Sequence, residues 1–347
     1  MDELGSHTFL ALEESESGPW DIVILQIPLE MTCSYGEGTR RGPKACIEAS
    51  AQVELHDSIL PEDLPSGTRI HTAAPWSSEA PSLREQLDSI GEHVRPWFTG
   101  QEFPLVLGGE HGILLPILEN LHQHPYVRDI SELTIVQIDA HADLREELNG
   151  ERFSHGTVIR RALELGVGRV IQIGVRAFCL EEEEVIQSED RVETWFARDL
   201  LSIVDGKPEW ERLVDRISSI SGPVWLTFDV DGLDGSLVPS TGTPVPGGLS
   251  HWGSVELIEN LFASENCEVV GADVNEIVPG TEGSLTEFSA ALIATKIVAC
   301  HIANSRSKVG EKLYVMVPTA AHGPLDSDNS DCFIRHGICF TGSIGPD

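Results

Sequence analysis

Apolar runs alternate with stretches of helical spacing along most of this chain. Continuous apolar runs are typical of strands covered on both faces, and they lie at about 21–28, up to 108, up to 139, 170–174, up to 229 and 267–274. Apolar residues at helical spacing predict helices from about 44, over 82–98, 113–122, 157–166 and 208–217, from about 252, and over 285–304. Because strands and helices alternate, the sequence predicts an α/β fold, a mainly parallel sheet with helices on both faces.

The pattern also indicates how the chain is organised into domains. Its 347 residues, 41% of them hydrophobic, are enough for one large core. We expect a single domain over 1–305 and a C-terminal extension of irregular structure over 306–347, which is rich in Asp, Gly and Ser. The segments 58–80 and 235–248 are rich in Pro, Gly or Ser and are predicted to be loops.

Three clusters of acidic and histidine residues follow predicted strands. They are Gly108-Gly109-Glu110-His111, Asp139-Ala140-His141-Ala142-Asp143 and Phe228-Asp229-Val230-Asp231. Strand side chains alternate between faces, so residues two apart point the same way. In open α/β sheets ligands bind at the carboxyl ends of the strands. Placing so many carboxylates together is costly unless a cation neutralises them, so the clusters predict a site for more than one metal ion.

The chain is strongly acidic, with 56 Asp and Glu against 23 Lys and Arg and a net charge of −33. Such a surface repels nucleic acid and anionic lipid, and it attracts a small cationic substrate. Solubility, or adaptation to a saline habitat, is the plainer explanation and stays open. We expect the run Glu181 to Glu184, and the two histidines His122 and His124 near a helix end, to be solvated.

Several features favour a cytoplasmic protein. There is no uninterrupted apolar run of about 18 residues, so no membrane span is expected. Met1 to Gly5 lacks the basic and apolar regions of a secretory signal. The seven cysteines form no CxxC pair, and reduced thiols are the expectation. A disulfide or small metal clip between Cys332 and Cys339 remains open.

Five motifs occur in a fixed order, which is stronger evidence than any one of them. They are Gly108-Gly109-Glu110-His111, Asp139-Ala140-His141-Ala142-Asp143, Ser154-His155-Gly156-Thr157, Phe228-Asp229-Val230-Asp231 and Asp273-Val274-Asn275-Glu276. With the loop 241–249, they make the chain resemble the ureohydrolase family of arginases, agmatinases and related guanidino-acid hydrolases over about 36–305. Glu110, where many members have Asp, and Gly112, where Ser is frequent, depart from the family pattern and put metal affinity in question.

The resemblance implies an arginase-like three-layer α/β/α sandwich with two Mn²⁺ ions, and a homo-oligomer, a trimer or hexamer. One ion would be held by His111, Asp139, Asp143 and Asp229. The other would be held by Asp139, His141, Asp229 and Asp231, so that Asp139 and Asp229 bridge. Carboxylates with few imidazoles and no thiols suit a hard ion such as Mn²⁺.

The resemblance also implies the chemistry. A hydroxide shared by the two ions would attack the guanidinium carbon, giving urea and an amine. His155 would carry a proton to the leaving amine, Glu276 would bind the guanidinium, and Asp143 would accept a proton or hydrogen-bond the intermediate. The plainer alternatives are that His155 caps a helix near Thr157 and that Glu276 is a surface carboxylate.

The loop 144–153 bears on the substrate. It lacks the arginase pattern that binds an α-amino acid and looks like the loop of many agmatinases, which favours hydrolysis of agmatine to putrescine and urea. Arg145 and Arg152 would either pair with a substrate carboxylate or with the neighbouring glutamates Glu146, Glu147 and Glu151. The alternatives are therefore a guanidinobutyrase, guanidinopropionase, arginase or formiminoglutamase, and more remotely a metal-binding homologue without catalytic activity.

Overall fold

The computed structural model describes residues 8–14, 17–280 and 284–308, together with the backbone of Cys332–Arg335 and Ile338–Thr341. The strands, in chain order, are β1 (Ile22–Ile27), β2 (Ile70–Thr72), β3 (Phe103–Gly108), β4 (Thr134–Ile138), β5 (Arg169–Val175), β6 (Val192–Phe196), β7 (Ile203–Val204), β8 (Lys207–Pro208), β9 (Gly222–Asp229), β10 (Cys267–Asn275), β11 (Cys332–Arg335) and β12 (Ile338–Thr341). The helices are α1 (Gly42–Ser50), α2 (Leu83–Val94), α3 (Leu114–Asn120), α4 (Val158–Leu165), α5 (Leu180–Ser188), α6 (Glu209–Ser218), α7 (His251–Ala263) and α8 (Leu285–Lys308).

Eight strands form one sheet in the order β2-β1-β3-β10-β9-β4-β5-β6. Every neighbouring pair in this sheet is parallel. The strand order places the end of β3 beside that of β10, and β9 beside β4. These four strands precede or carry the three acidic clusters and Glu276, so the topology gathers the motifs at one edge.

The sheet separates two hydrophobic cores, because successive side chains of a strand point to opposite faces. In β1, Ile22 and Ile24 belong to one core, and Val23 and Leu25 to the other. Helices α1, α6, α7 and α8 cover the first face, whereas α2, α3 and α4 cover the second. The predicted three-layer α/β/α sandwich with a mainly parallel sheet is confirmed.

Helix α8 is the longest, with 24 residues, and by length and composition alone it could cross a membrane. However, 72% of its apolar window is buried inside the protein. It packs against α1 and α7, so its apolar character is explained by its place in the helical layer of the sandwich.

Some expectations from the sequence are wrong in detail. The segment 58–80 is not all loop, because Ile70–Thr72 forms β2 and pairs with β1. The acidic run Glu181 to Glu184 lies in α5, and Glu182 is only 2% exposed. His124 is 5% exposed rather than solvated, while His122 is exposed as expected.

The C-terminal extension is partly described. Helix α8 runs on to Lys308, so the predicted boundary at 305 falls inside a helix. The tail contains the antiparallel pair β11 and β12, which the prediction of an irregular extension did not include. The side chains of Cys332 and Cys339 lie outside the described residues, and the five described cysteines are free thiols.

Candidate metal centre

The acidic clusters converge at the carboxyl ends of four adjacent strands. Asp139 follows β4 directly, Asp229 is the last residue of β9, and Glu276 comes directly after β10. His111 begins the short turn after β3. That turn packs tightly on the chain after β1, because a Cβ at Gly109 would lie 2.0 Å from the carbonyl oxygen of Leu29. Glycine is therefore required where the first motif approaches its neighbour.

His111 lies in the middle of three carboxylates and is buried. Its Nδ1 is 3.2 Å from Asp139 Oδ2, 3.0 Å from Asp143 Oδ2 and 3.7 Å from Asp229 Oδ2. Nevertheless, this nitrogen makes no hydrogen bond to any described residue. Buried polar nitrogens without a hydrogen bond are rare in folded proteins, and such an atom is often a ligand of a bound ion.

His141 forms a second group on the other side of Asp139. Its Nδ1 is 3.0 Å from Asp231 Oδ2 and 3.7 Å from Asp139 Oδ1. Two sets of ligand atoms can therefore each surround one ion, His111 with Asp139 and Asp143, and His141 with Asp139 and Asp231. Asp139 belongs to both sets.

Hydrogen bonds fix the carboxylates. Asp139 accepts from Gln137 Nε2 at 2.7 Å and from the His141 amide at 2.6 Å. Asp231 Oδ1 accepts from the Ala140 amide at 3.0 Å, and the Asp231 amide donates to Asp229 Oδ1 at 2.9 Å. Both oxygens of Asp139 are thus held by hydrogen bonds. Asp229 and Asp231 each have Oδ1 held by a backbone amide, while Oδ2 lies near a histidine.

The pKa values of this cluster suit the binding of a cation. Burial raises the pKa of Asp143 to about 7. Burial and the nearby Asp231 raise the pKa of Asp229 well above its ordinary value. Burial also acts on Asp139, but its contacts with His111 and His141 outweigh that and hold its pKa below the ordinary range. Without a cation, therefore, the carboxylates cannot all ionise at neutral pH.

The histidine tautomer also suits a metal ion. His111 Nε2 is 2.8 Å from the Thr227 hydroxyl, which itself donates to Asp273 Oδ1 at 2.6 Å. Because that hydroxyl has one proton, it accepts from His111 Nε2–H. In the neutral ring, which a metal ion would bind, Nδ1 then carries the lone pair on the side of the carboxylates. The donor set of carboxylates and imidazoles without thiolate therefore fits hard divalent ions.

Asp273 lies beneath this arrangement and is fully buried. It also accepts hydrogen bonds from Trp225 Nε1 and Asn275 Nδ2. The sequence pattern assigned no role to Asp273, although it lies in one of the five motifs, and none to Thr227. The alternation of strand side chains could have indicated them. Thr227 shares a face of β9 with Asp229, and Asp273 shares a face of β10 with Asn275.

Glu276 and Asp143 both adopt backbone conformations that are uncommon for residues with a side chain. The φ angle is 61° at Glu276 and 54° at Asp143. Such conformations persist where surrounding contacts enforce them, and they concentrate at functional sites. Here the amide of Glu276 donates to Gly109 O at 2.8 Å, and its Oε1 accepts from the His111 amide at 2.8 Å. Burial raises the pKa of this carboxyl group well above its ordinary value.

His155 lies on the opposite side of the site and is partly buried. Its Nδ1 is 2.9 Å from Thr32 Oγ1 and its Nε2 is 3.1 Å from Ser34 Oγ. Burial lowers the pKa of His155 to about 4. The side chain that caps the following turn is Ser154, not His155, so the alternative of a capping role for His155 is not supported.

One cavity of about 170 Å³ is lined by most of the predicted site residues, namely His111, His141, Asp143, His155, Asp229, Asp231 and Glu276. Its floor is made of strand-end residues, and its walls come from the loops after β1, β4 and β9. The lining residues used below are Ser34, Asp143, Arg145, His155, Glu182 and Glu276. Asp139 is the one predicted ligand that does not line the cavity, because it lies underneath it.

The two arginines of the loop 144–153 differ in position. Arg145 lines the cavity, with Nε 3.6 Å from Glu182 Oε2. Arg152 instead pairs with Glu164 at 2.8 Å and with Glu146. Arg152 thus makes the ion pairs with nearby glutamates that were one of the two expectations.

Comparison with known proteins decides the family. The arginase family model matches residues 20–300. The chain belongs to the arginase family. Within this family it is 33% identical over 294 residues to an N(1)-aminopropylagmatine ureohydrolase from Synechocystis, covering 83% of this chain and 91% of that protein. It is 34% identical over 281 residues to an agmatinase from Pyrococcus horikoshii, covering 80% and 91%.

A solved structure leads to the same family. The agmatine ureohydrolase of Thermoplasma volcanium superposes with a TM-score of 0.69 at 25% identity, covering 84% of this chain and 92% of that one. The resemblance to ureohydrolases expected from the motifs is therefore confirmed. Enzymes of the arginase family hydrolyse amidino C–N bonds and depend on metal ions, so the chain is a hydrolase of this class.

Proposed function

We propose that this enzyme hydrolyses agmatine to putrescine and urea with two Mn²⁺ ions. The observation that carries the proposal is a carboxylate-lined cavity whose described lining contains one guanidinium, Arg145, already paired with Glu182. A substrate with a positive charge at each end fits such walls better than one ending in a carboxylate. The relatives named above act on agmatine or its aminopropyl derivative, which supports this choice.

The proposal assigns the ligands as the family resemblance implies. His111 and Asp143 would hold one ion, His141 and Asp231 the other, and Asp139 and Asp229 would bridge. When bound, the ions would supply a water nucleophile activated at neutral pH. The hydrogen bonds to Asp139, Asp229 and Asp231 keep the ligand oxygens oriented before any ion binds, which reduces the reorganisation that binding requires.

Three side chains would act on the substrate itself. Glu276, fixed by the His111 amide, would form a bidentate contact with the planar guanidinium. Asp143 would accept a hydrogen bond from the groups bonded to the guanidinium carbon that is attacked. His155, whose Nε2 lies beside Ser34 in the cavity wall, would deliver a proton to the leaving amine.

The test is urea release by Mn²⁺-loaded enzyme from agmatine, N(1)-aminopropylagmatine, arginine, 4-guanidinobutyrate and 3-guanidinopropionate, with EDTA-treated enzyme as control. We expect agmatine or its aminopropyl derivative to be preferred. Preference for a guanidino acid would keep the hydrolysis and assign Arg145 to the substrate carboxylate. No urea from any compound, with two ions bound, would contradict the proposed function.

Aminopropylagmatine is a second candidate substrate because of the Synechocystis relative. Phe178 directly follows Ala177 of the cavity lining, and both Phe178 and Leu180 are exposed apolar residues. These side chains could contact the longer methylene chain. A higher kcat/KM for the aminopropyl compound than for agmatine would establish it.

The remaining expectations accompany this proposal. We place the enzyme in the cytoplasm, as a homo-oligomer with three or six subunits, and with no nucleic-acid or membrane partner. Gel filtration with light scattering of the full-length protein tests the oligomeric state.

A further inference from the structure

The loop after β1 connects the first motif to His155. The carboxylate of Glu110 is buried. Its Oε1 accepts from the amides of Met31 and Thr32 and weakly from the thiol of Cys33 at 3.5 Å. Its Oε2 accepts from the Thr32 hydroxyl at 2.7 Å. The same hydroxyl lies 2.9 Å from Nδ1 of His155.

The direction of these hydrogen bonds follows from donor and acceptor chemistry. A carboxylate has no proton to give, so the hydroxyl of Thr32 donates its only proton to Glu110. The oxygen of Thr32 then faces His155 as an acceptor. It lies 2.9 Å from Nδ1 and 3.3 Å from the backbone amide of the same residue. Nδ1 must therefore carry the proton of the neutral ring, and Nε2 carries the lone pair.

We propose that Thr32 and Glu110 are positioning residues that hold His155 in its Nδ1–H tautomer. This leaves Nε2, on the cavity side next to Ser34, as the atom that takes up and releases the proton. The role of His155 in this statement rests on the proposed function. Its tautomer does not, since it follows from contacts of the free protein.

A threonine hydroxyl also contacts the ring of His111, but there the other ring nitrogen is left free. At His111 the threonine hydroxyl of Thr227 donates to Asp273 and accepts from Nε2–H, so Nδ1 is left free for an ion. At His155 the threonine contacts Nδ1, so Nε2 is left free for the substrate. One ring is thus prepared as a ligand and the other as an acid–base group.

A purely structural role for Glu110 is the alternative, because it also holds the backbone of the loop through two amides. Two substitutions at Thr32 separate these roles. Thr32→Val removes the hydroxyl but keeps the side-chain shape and the backbone amide that bonds to Glu110. Thr32→Ser keeps the hydroxyl and serves as the matched control.

The direct measurement is ¹⁵N NMR of the histidine rings in the full-length protein, loaded with diamagnetic Mg²⁺. The His155 signals are assigned by their loss in His155→Ala. We expect a pyrrole-type Nδ1 and a pyridine-type Nε2 in the wild type and in Thr32→Ser. In Thr32→Val we expect a mixture of tautomers or the Nε2–H form. A wild-type ring with the proton on Nε2 overturns the proposal.

Kinetics of the Mn²⁺-loaded enzyme give a second readout. We expect Thr32→Val to lower kcat by about tenfold or more, with KM and metal content within about twofold of wild type, and Thr32→Ser to recover most of the loss. Equal kcat in Thr32→Val and the wild type overturns the positioning role of Thr32 and Glu110, even if urea is formed. If the wild type forms no urea, the proposed function fails. The tautomer of His155 measured by NMR still shows whether Thr32 and Glu110 position the ring.

Discussion

At the scale of single residues, the direction of hydrogen bonds determines what each histidine can do. The imidazole of His111 is held by the Thr227 hydroxyl, which in turn is held by Asp273. These two hydrogen bonds leave only one nitrogen of the His111 ring available to an ion. Such outer partners are required for metal affinity although they never touch the metal.

The first prediction concerns this outer partner. Thr227→Val should weaken metal binding by roughly 10–100-fold, because the ring of His111 loses the acceptor that fixes its tautomer. Titration of the metal-free protein with Mn²⁺ in competition with a chelator measures the effect. Thr227→Ser, which keeps the hydroxyl, is the matched control and should bind within a few-fold of wild type; equal affinities for all three proteins would contradict the role of Thr227.

The second prediction concerns the proposed bridging ligand. Asp139→Asn removes a carboxylate that would ligate both ions, so metal content should fall below two per subunit and urea release should fall by at least about 100-fold. Metal analysis of the purified protein alongside the urea assay measures both quantities. Glu92→Gln, an exposed carboxylate on α2, controls for the loss of one charge, and full metal content in Asp139→Asn would refute the bridging assignment.

The third prediction separates catalysis from metal binding. His155→Ala should lower kcat by roughly 10²–10⁴-fold, the typical contribution of a general acid or base, while metal content stays near that of wild type. Steady-state kinetics and metal analysis on the same preparation make the comparison. A parallel fall in metal content would mean that His155 is a ligand or a structural residue instead.

At the scale of secondary structure, helix α5 supports the loop that forms one wall of the cavity. Glu182 accepts from the amide of Cys179 at 2.8 Å as part of a capping box, and from the amide of Leu144 at 3.1 Å. One buried carboxylate therefore both begins a helix and anchors the residue that follows Asp143. Loss of the bond to Leu144 would release the backbone between Asp143 and Arg145, which both line the cavity.

The fourth prediction tests this anchor. Glu182→Ala should reduce the free energy of unfolding by about 2 kcal/mol, because a helix cap and a second buried amide both lose their acceptor. Equilibrium unfolding in urea measures it. Glu184→Ala, an exposed position on the same helix, should change stability by less than about 0.5 kcal/mol, and equal effects of the two substitutions would contradict the anchoring role.

The sequence predicts the central strands and helices well because they are long and periodic. The convergence of acidic and histidine residues was also foreseeable, since Asp139, His141 and Asp143 are spaced two apart at a strand end, and their role as metal ligands stays a prediction. Short edge elements were missed, because β2 has three residues inside a segment rich in turn formers. The expectation that Glu182 is solvated was wrong because an acidic run gives no sign of which carboxylate turns inward. The expectation for His124 was wrong because a position near a helix end does not show whether the ring packs inward.

The contacts of Thr32 could not be foreseen either. Thr32 and His155 are 123 positions apart in the sequence, and Thr32 and Glu110 are 78 positions apart. No local pattern announces a hydrogen bond between such distant residues. Only the folded arrangement of the loops after β1 and β4 brings them together.

At the scale of the whole molecule, several buried or partly buried histidines have lowered pKa values, so they stay neutral at a pH where a free histidine would be protonated. Burial lowers the pKa of His301 to about 3, and its ring stacks on Phe103 with centroids 4.0 Å apart. Burial also lowers the pKa of His93, His124 and His251. The unfolded chain binds protons at these groups near pH 6.5, whereas the folded protein does not, so acidification favours unfolding.

The fifth prediction follows from that sign. The contribution of His301 to the free energy of unfolding should be constant above about pH 7 and should fall by on the order of 1 kcal/mol as pH decreases toward 5. Urea unfolding of metal-free protein at several pH values measures the slope. His301→Gln should show a shallower slope than wild type, and the exposed His122→Gln should not; identical slopes for all three would contradict the assignment.

The cavity has a floor of strand ends and walls of loops, and this division has a consequence for how such enzymes diversify. The floor residues are tied to one another, since Glu276 holds the amide of His111 and Asp273 holds its ring through Thr227. A change there disturbs several functions at once. The wall from 144 to 153 can vary in sequence with far less disturbance of that network. New substrates are therefore accessible by loop replacement, in evolution and in engineering alike, while the hydrolytic chemistry is inherited unchanged.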